Sequence, residues 1–297
     1  MSTRIWLAFG LASFGWGTAG VGVRAAFDEG VPPLAMVALR AIIATIAIFA
    51  FLQFGRGEVP RGRDEWRMGF VMSVFNLTLP FILFTLGYQY ASAGFMGLLA
   101  ALIPIVTAVF AHFLLPDDPL YSGKVVGLVV ALAGVAFLSL TGDSGLEEGG
   151  RPLVSLALGV SAVVCIGIAN IYAKKRSASY DPVEVTGMQF ALGAVMLIPL
   201  TAVAEGWPSD ITALGWLLLL YLGLVGSVLP FLTYYWVLKH VTVTRAQIIA
   251  YLVPLVALTS GIIVLDERLE IGIAVGGGLI LLGVIITGAA ERRFVRA

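Results

Sequence analysis

Charge is what this chain has least of. Only 12% of its 297 residues are charged, 59% are hydrophobic, and mean hydropathy is +0.98. Soluble domains carry about a quarter charged residues. The shortage argues against a soluble fold, a nucleic-acid-binding surface and a solvated catalytic domain, and leaves a polytopic membrane protein. There is one cysteine, Cys165, inside an apolar run. It excludes an internal disulfide and says nothing of redox compartment.

Other absences concern chemistry. No Asp or Glu stands in the middle of an apolar run; Asp117, Asp118, Asp266 and Glu267 fall at run ends, His112 lies near one end of the fourth run, and His240 lies at a boundary. Proton- and sodium-driven transporters usually bury a carboxylate as ion carrier. Its absence points to gradient-driven movement without obligatory ion coupling. It also weakens a multidrug pump for cations, and the lack of a cationic cluster weakens phosphate-sugar cargo. The runs hold no Ser/His/Asp set, paired carboxylates or metal-spaced His/Cys cluster, which counts against an intramembrane enzyme. No catalytic residue, metal or cofactor is expected.

What the chain does have is apolar length. Runs of about 20 residues suit a hydrocarbon core of about 30 Å. Ten are present, near 4–24, 32–54, 68–88, 92–115, 121–141, 153–173, 182–204, 211–238, 244–265 and 269–290. Backbone polar groups must be satisfied within lipid, so each run is expected to be helical. The links are short, the longest being 55–67, and no stretch suffices for an extramembrane domain. The first run superficially resembles a signal peptide; its glycine-rich continuation and its match to a later segment mark it as a retained helix.

Lys and Arg placement sets the orientation. With the N-terminus in the cytoplasm, 14 lie inside: Arg4, Arg56, Arg61, Arg63, Arg67, Lys124, Lys174, Lys175, Arg176, Lys239, Arg245, Arg292, Arg293 and Arg296. Three lie outside, Arg24, Arg151 and Arg268, and Arg40 sits within a helix. Ten helices with both ends cytoplasmic follow, in the inner (plasma) membrane.

The chain repeats itself. Pro80 and Pro104 are spaced like Pro230 and Pro254, 24 positions in each case. A shift of 149 or 150 also pairs Gly10 with Gly159, Pro33 with Pro182, Arg40 with Gln189, Gly127 with Gly276 and Gly134 with Gly283. This divides the chain into five-helix halves, residues 1–149 and 150–297. Five is odd, so the second half enters from the opposite side. The expected fold is all-α: two inverted five-helix repeats about a pseudo-twofold axis in the membrane plane, with a pathway between them.

These features resemble the drug/metabolite transporter superfamily, specifically its EamA-type ten-helix branch. The matching residues are Gly15-Trp16-Gly17, Pro33 and Arg40, the two proline-bracketed hairpins, and the half-ending patterns Asp118-Pro-Leu-x-x-Gly123 and Glu267-Arg-Leu-x-x-Gly272. Asp118 stands where the family more often has Glu. The resemblance covers essentially the whole chain. Within the family it leans toward an inner-membrane exporter of aromatic amino acids. It implies a central cavity among helices 3, 4, 8 and 9, with helices 1 and 6 contributing, and export as the direction.

Each candidate residue carries two readings. Asn76, Pro80 and Phe84 are spaced to share a face of helix 3, and Ser227, Pro230 and Tyr234 to do so on helix 8. A helix proline frees a carbonyl and bends the axis. Static kinks are one reading; the symmetric placing of Pro80, Pro104, Pro230 and Pro254 favours hinges for alternating access. Trp16, mid-helix between glycines, suits stacking on an aromatic solute or simple core packing. Cys165 is its counterpart by the shift. Met96, Asn170, Gln247 and Tyr251 could meet cargo, or could bond between helices. Arg40, roughly 12 Å deep at 1.5 Å per residue, could capture a carboxylate. The family pattern carries Arg here across many substrates, which favours a structural or gating role. Gly123/Gly127 and Gly272/Gly276 suit close helix packing, with a monomer favoured over a dimer.

A small-molecule substrate and the lipid bilayer are the expected partners, and no nucleic acid. A neutral, aromatic-lined cavity with amides suits amino acids with aromatic or large apolar side chains. The rivals are broad-specificity efflux of apolar drugs and a non-transporting receptor or scaffold.

Overall fold

The computed structural model describes residues 3–56, 62–115, 120–176, 181–241 and 248–294. Helix is the only regular structure among them, and ten helical rods account for it. They are α1 (Thr3–Asp28), α2 (Pro33–Phe51), α3 (Arg63–Gly87), α4 (Ala93–Leu114), α5 (Ser122–Thr141), α6 (Pro152–Arg176), α7 (Pro182–Ala204), α8 (Ala213–His240), α9 (Ile248–Leu265) and α10 (Ile271–Phe294). Among the described residues nine helices are long and apolar enough to cross a membrane, and a tenth, Ile249–Leu265, is shorter. Large apolar side chains face outward: Val203 is 88% exposed and Leu140 86%. A solvent of lipid tails makes that favourable, where water would forbid it.

Local signals start and stop the rods. Prolines open α2, α6 and α7, where a missing N–H costs nothing. Ser92, Asp181 and Thr212 each accept a hydrogen bond from a first-turn amide of α4, α7 and α8. Gly142, at φ 74°, ends α5 in the left-handed conformation that suits glycine. Three boundaries move by four residues or more from expectation: α1 runs on to Asp28, α3 starts at Arg63, and α10 runs on to Phe294.

Three stretches are π-helical: Leu52–Arg56, which continues α2, and one inside each of α3 and α8. The latter two, Ser73–Thr78 in α3 and Leu224–Val228 in α8, are each followed by Leu-Pro, at Pro80 and Pro230. Proline has no N–H and crowds the carbonyl one turn back, and the π turn relieves both with one extra residue. It also alters the helical phase. Asn76 lies inside the turn, so it does not continue the Pro80–Phe84 face by simple spacing of four. The second proline pair differs between halves. Pro104 follows a turn at Ala101–Leu102 that splits α4, whereas Pro254 lies inside a continuous α9.

The rods pack chiefly across the chain's midpoint. α5 lies on α10, α2 on α7 and α4 on α9; α1 meets α8 and α9, as α6 meets α3 and α4. On α5, Gly127 and Gly134 sit against α10. A Cβ on Gly127 would come within 2.6 Å of the Gly283 carbonyl oxygen, and one on Gly134 within 2.6 Å of that of Gly276. Rising numbers on α5 meet falling numbers on α10, so the two rods are antiparallel. The glycine stripes are consumed inside the chain.

All ten rods meet at one end of the bundle. The ends of α1, α3, α5, α7 and α9 are hydrogen-bonded there to the starts of α2, α4, α6, α8 and α10. Ser92 N–H donates to the Ser144 carbonyl at 2.9 Å, and Arg151 N–H to that of Tyr90 at 2.9 Å. Glu205 accepts from Leu34 N–H at 2.9 Å, and Gly272 N–H donates to Asp143 at 2.7 Å. Thr212 donates to Glu29.

Candidate functional site

The glycines beside Trp16 fit α1 between two neighbours. A Cβ on Gly15 would lie 2.5 Å from the Val225 carbonyl oxygen of α8, and one on Gly17 2.5 Å from Val256 of α9. Trp16 is thereby held at the α1–α8 contact. Its ring meets Phe231 edge-on at 5.5 Å and Tyr234 at 5.5 Å. Phe231 continues to Phe190 of α7 at 5.5 Å, and Phe190 to Phe81 of α3 at 6.3 Å. The guanidinium carbon of Arg40 lies 4.3 Å from the centre of the Phe81 ring. One aromatic seam therefore runs from Tyr234 to Arg40 through five helices drawn from both halves. Edge-to-face pairs of this kind add about 0.5–1.5 kcal/mol each beyond area burial.

Arg40 closes the seam. It is 7% exposed. Its Nε donates to Ser227 Oγ at 2.6 Å and its Nη2 to the Gly226 carbonyl at 2.7 Å. Ser227 Oγ–H donates in turn to the Leu222 carbonyl at 2.9 Å. The π turn of α8 offers these acceptors, and the cation over Phe81 adds a third contact. On the other side of the repeat Gln189 replaces Arg40, and Asn76 Nδ2 in the π turn of α3 donates to Gln189 Oε1 at 3.3 Å. α2 thus anchors the π turn of α8, and α7 that of α3.

The all-helix end of the bundle centres on Glu267. Its carboxylate accepts from Ala93 N–H at 2.6 Å and Gly94 N–H at 3.2 Å, and lies 3.3 Å from Arg24 Nε. Arg24 Nη1 donates to the carbonyls of Tyr88 and Ala91, both at 3.1 Å. Burial pushes the Glu267 carboxyl above its ordinary range; the two amides and Arg24 oppose that, less strongly. At the other end a recess of about 490 Å³ opens between Thr3, Arg4 and Ile5 of α1 and Trp236 and His240 of α8. Among the described residues no cluster of His, Cys, Asp or Glu could hold a metal ion.

Two separate stretches, residues 4–140 and 153–289, match one family model, that of the EamA-like transporter family. The chain belongs to the EamA-like transporter family. The second EamA-like match begins 149 positions after the first, 153 against 4. Relatives span the full length. An uncharacterized transporter of Archaeoglobus fulgidus is 26% identical, over 95% of this chain and 97% of its own. The uncharacterized transporter YoaV of Bacillus subtilis is 27% identical over 91% and 92%. The protein PecM of Dickeya dadantii is 26% identical over 91% and 88%. A solved crystal structure shares the fold, with a TM-score of 0.69 at 21% identity and 99% coverage of both chains.

In this EamA-like chain the residues singled out from sequence fall in three places. Trp16, Tyr234 and Arg40 are on the seam, and Asn76 and Pro80 are at the α3 π turn. Met96 and Phe84 are in the core around α4; Met96 is fully buried. Cys165 is half-buried on α6. Asn170 donates to Thr107 of α4 at 3.1 Å. Tyr251 donates to the Val284 carbonyl of α10 at 3.5 Å, away from Trp16. Gln247 lies outside the described residues. Phe81, Phe190 and Phe231 were not among the expected site residues. Phe81 and Phe231 each follow a repeated proline, and that doubled Pro-Phe was the signal available. The sequence places Glu267 at a helix end, and the fold buries it there.

Proposed function

We propose that this protein is a secondary transporter of small metabolites working by alternating access between two inverted five-helix halves, rather than an enzyme. The doubled family match supports two equivalent halves. The antiparallel α5–α10 crossing supports inversion, as does the meeting of odd-helix ends with even-helix starts at one end. The basic bias supports a Glu267 end outside and both termini in the cytoplasm, the orientation of a plasma-membrane protein. The favoured cargo is an amino acid with an aromatic or large apolar side chain. The resemblance to aromatic amino-acid exporters, YddG in particular, supports that class and export as the direction.

The observation that carries the reading is the seam. Trp16, Phe231, Phe190 and Phe81 line the contact between halves and end at a held cation. An aromatic cargo can exchange ring contacts with such a seam at little net cost as the halves part. Movement needs no coupling ion, because the charged pair at Glu267 lies at a bundle end. A monomer suffices, since the α5 and α10 glycine stripes face one another.

The test is uptake of a panel of labelled amino acids into proteoliposomes. Saturable flux of Phe, Trp or Leu, lowered about tenfold by Trp16→Ala or Phe231→Ala, supports the reading. Flux of apolar drugs with none of amino acids would replace it by broad efflux. No flux of any solute would leave a receptor or scaffold. Uphill movement driven by a proton or sodium gradient would refute uncoupled transport.

A further inference from the structure

Hydroxyls inside a helix usually bond the carbonyl four residues back. In this chain Thr18, Thr45, Ser139, Thr233, Thr259, Ser260 and Thr287 all do so, at 2.6 to 2.9 Å. Ser73 and Thr78, the first and last residues of the α3 π turn, do not. Ser73 is 0% exposed and Thr78 8%, and neither hydroxyl has a partner among the described residues. Gln189, 0% exposed on the facing α7, has a bonded Oε1 but an unpartnered Nε2.

These orphans converge. One turn beyond Gln189, a Cβ built on Gly193 would lie 3.3 Å from Ser73 Oγ and 3.4 Å from Thr78 Oγ1. Both hydroxyls therefore lie beside the Gly193 backbone, close to one another. Asn76, between them in sequence, reaches Gln189. Leu77 packs directly onto that same Cβ position. Leaving one buried polar group unmatched is costly, and three together are rare in folded proteins. Two hydroxyls and an amide carry no formal charge and offer both donors and acceptors. That is the set a buried water requires, two to four polar partners around a polar niche.

We infer that bound water, one molecule or two, occupies the α3–α7 interface among Ser73, Thr78 and Gln189. The equivalent place in the other half is filled by the protein itself: Arg40 reaches the α8 π turn directly. The two halves therefore differ in stiffness. The α8 turn is clamped by two bonds from a fixed guanidinium, while the α3 turn is held by the single Asn76–Gln189 bond and by exchangeable solvent, and is the softer hinge.

The test is X-ray radiolytic footprinting of the full-length protein in nanodiscs. Hydroxyl radicals made from bound water oxidise the nearest side chains. Leu77, 0% exposed, should be labelled in the wild type, and at least fivefold less in Ser73→Ala/Thr78→Val. If water is held, that double variant should also melt roughly 2–4 °C lower. If the hydroxyls are dry, deleting them removes unpaired groups and the melting temperature rises. An unlabelled Leu77 or a raised melting temperature overturns the inference. So does labelling abolished by sodium chloride but not by choline chloride, which would identify a cation site. Wild-type footprinting stands alone if the variant does not fold.

Discussion

Arg40 Nε donates to Ser227 Oγ at 2.6 Å across 187 positions of sequence. The pair joins α2 of one half to the wide turn of α8 in the other, and the second bond, to the Gly226 carbonyl, makes the guanidinium a two-point clamp. A planar fork is needed, which lysine lacks. Charge-assisted bonds of this kind are each worth about 1.5–3 kcal/mol.

Arg40→Ala should therefore lower stability by roughly 2–4 kcal/mol, and Arg40→Lys by an intermediate amount. Arg40→Gln copies the residue that the other half uses and should cost least. Thermal melts in nanodiscs check the order. A structural clamp predicts that any surviving protein keeps its substrate KM; a KM raised tenfold or more in Arg40→Gln would instead mark a cargo contact.

Trp16→Phe keeps an aromatic edge for Phe231 and Tyr234, and Trp16→Ala does not. Trp16 is half-buried, so its truncation should cost less than the about 3–5 kcal/mol of a fully buried aromatic. In proteoliposomes Trp16→Phe should retain aromatic amino-acid flux within about threefold. Equal loss in both variants would speak against the seam as cargo contact.

Gly134→Val would drive its first carbon to within 2.6 Å of the Gly276 carbonyl oxygen. That contact cannot be relieved by a rotamer change, so α5 and α10 must separate. A loss above about 3 kcal/mol is expected, read as a collapse in monodisperse yield. Gly10→Ala, with open space around its Cβ position, is the neutral control.

Glu267 provides the pH dependence. Its carboxyl is raised above the ordinary value of 4.5, first by burial. A raised carboxyl binds protons better in the folded than in the unfolded state. Its favourable contribution is therefore complete below about pH 4.5 and is lost as pH climbs through the raised value. The melting temperature of wild type minus that of Glu267→Gln should be flat in acid and fall over that window. A difference that grows with pH would mean that the Arg24 ion pair outweighs burial.

Much of this architecture was legible in the residues. Leu-Pro at 79–80 and again at 229–230 announced paired bends. It did not announce that each bend is a π turn, because an i to i+5 bond depends on what the neighbouring rod offers. The seam was half legible. Trp16 and Tyr234 stood out singly, while Phe81, Phe190 and Phe231 look like any apolar helix residue until α3, α7 and α8 are in contact. Tyr251 and Asn170 show the reverse: polar residues in apolar runs, yet each bonds a neighbouring rod away from Trp16.

What the sequence alone determined is everything that depends on a local window: the apolar runs and their helical state. Lipid enforces this, since a backbone in hydrocarbon must bond to itself within its own segment. The tertiary structure alone decided which rod faces which, hence that Arg40 reaches Gly226, that Glu267 is buried against Ala93 and Gly94, and that Ser73 and Thr78 are left without protein partners. Those depend on the rotation and depth of one rod against another, set by the summed packing of many side chains, and no single stretch of residues encodes that sum.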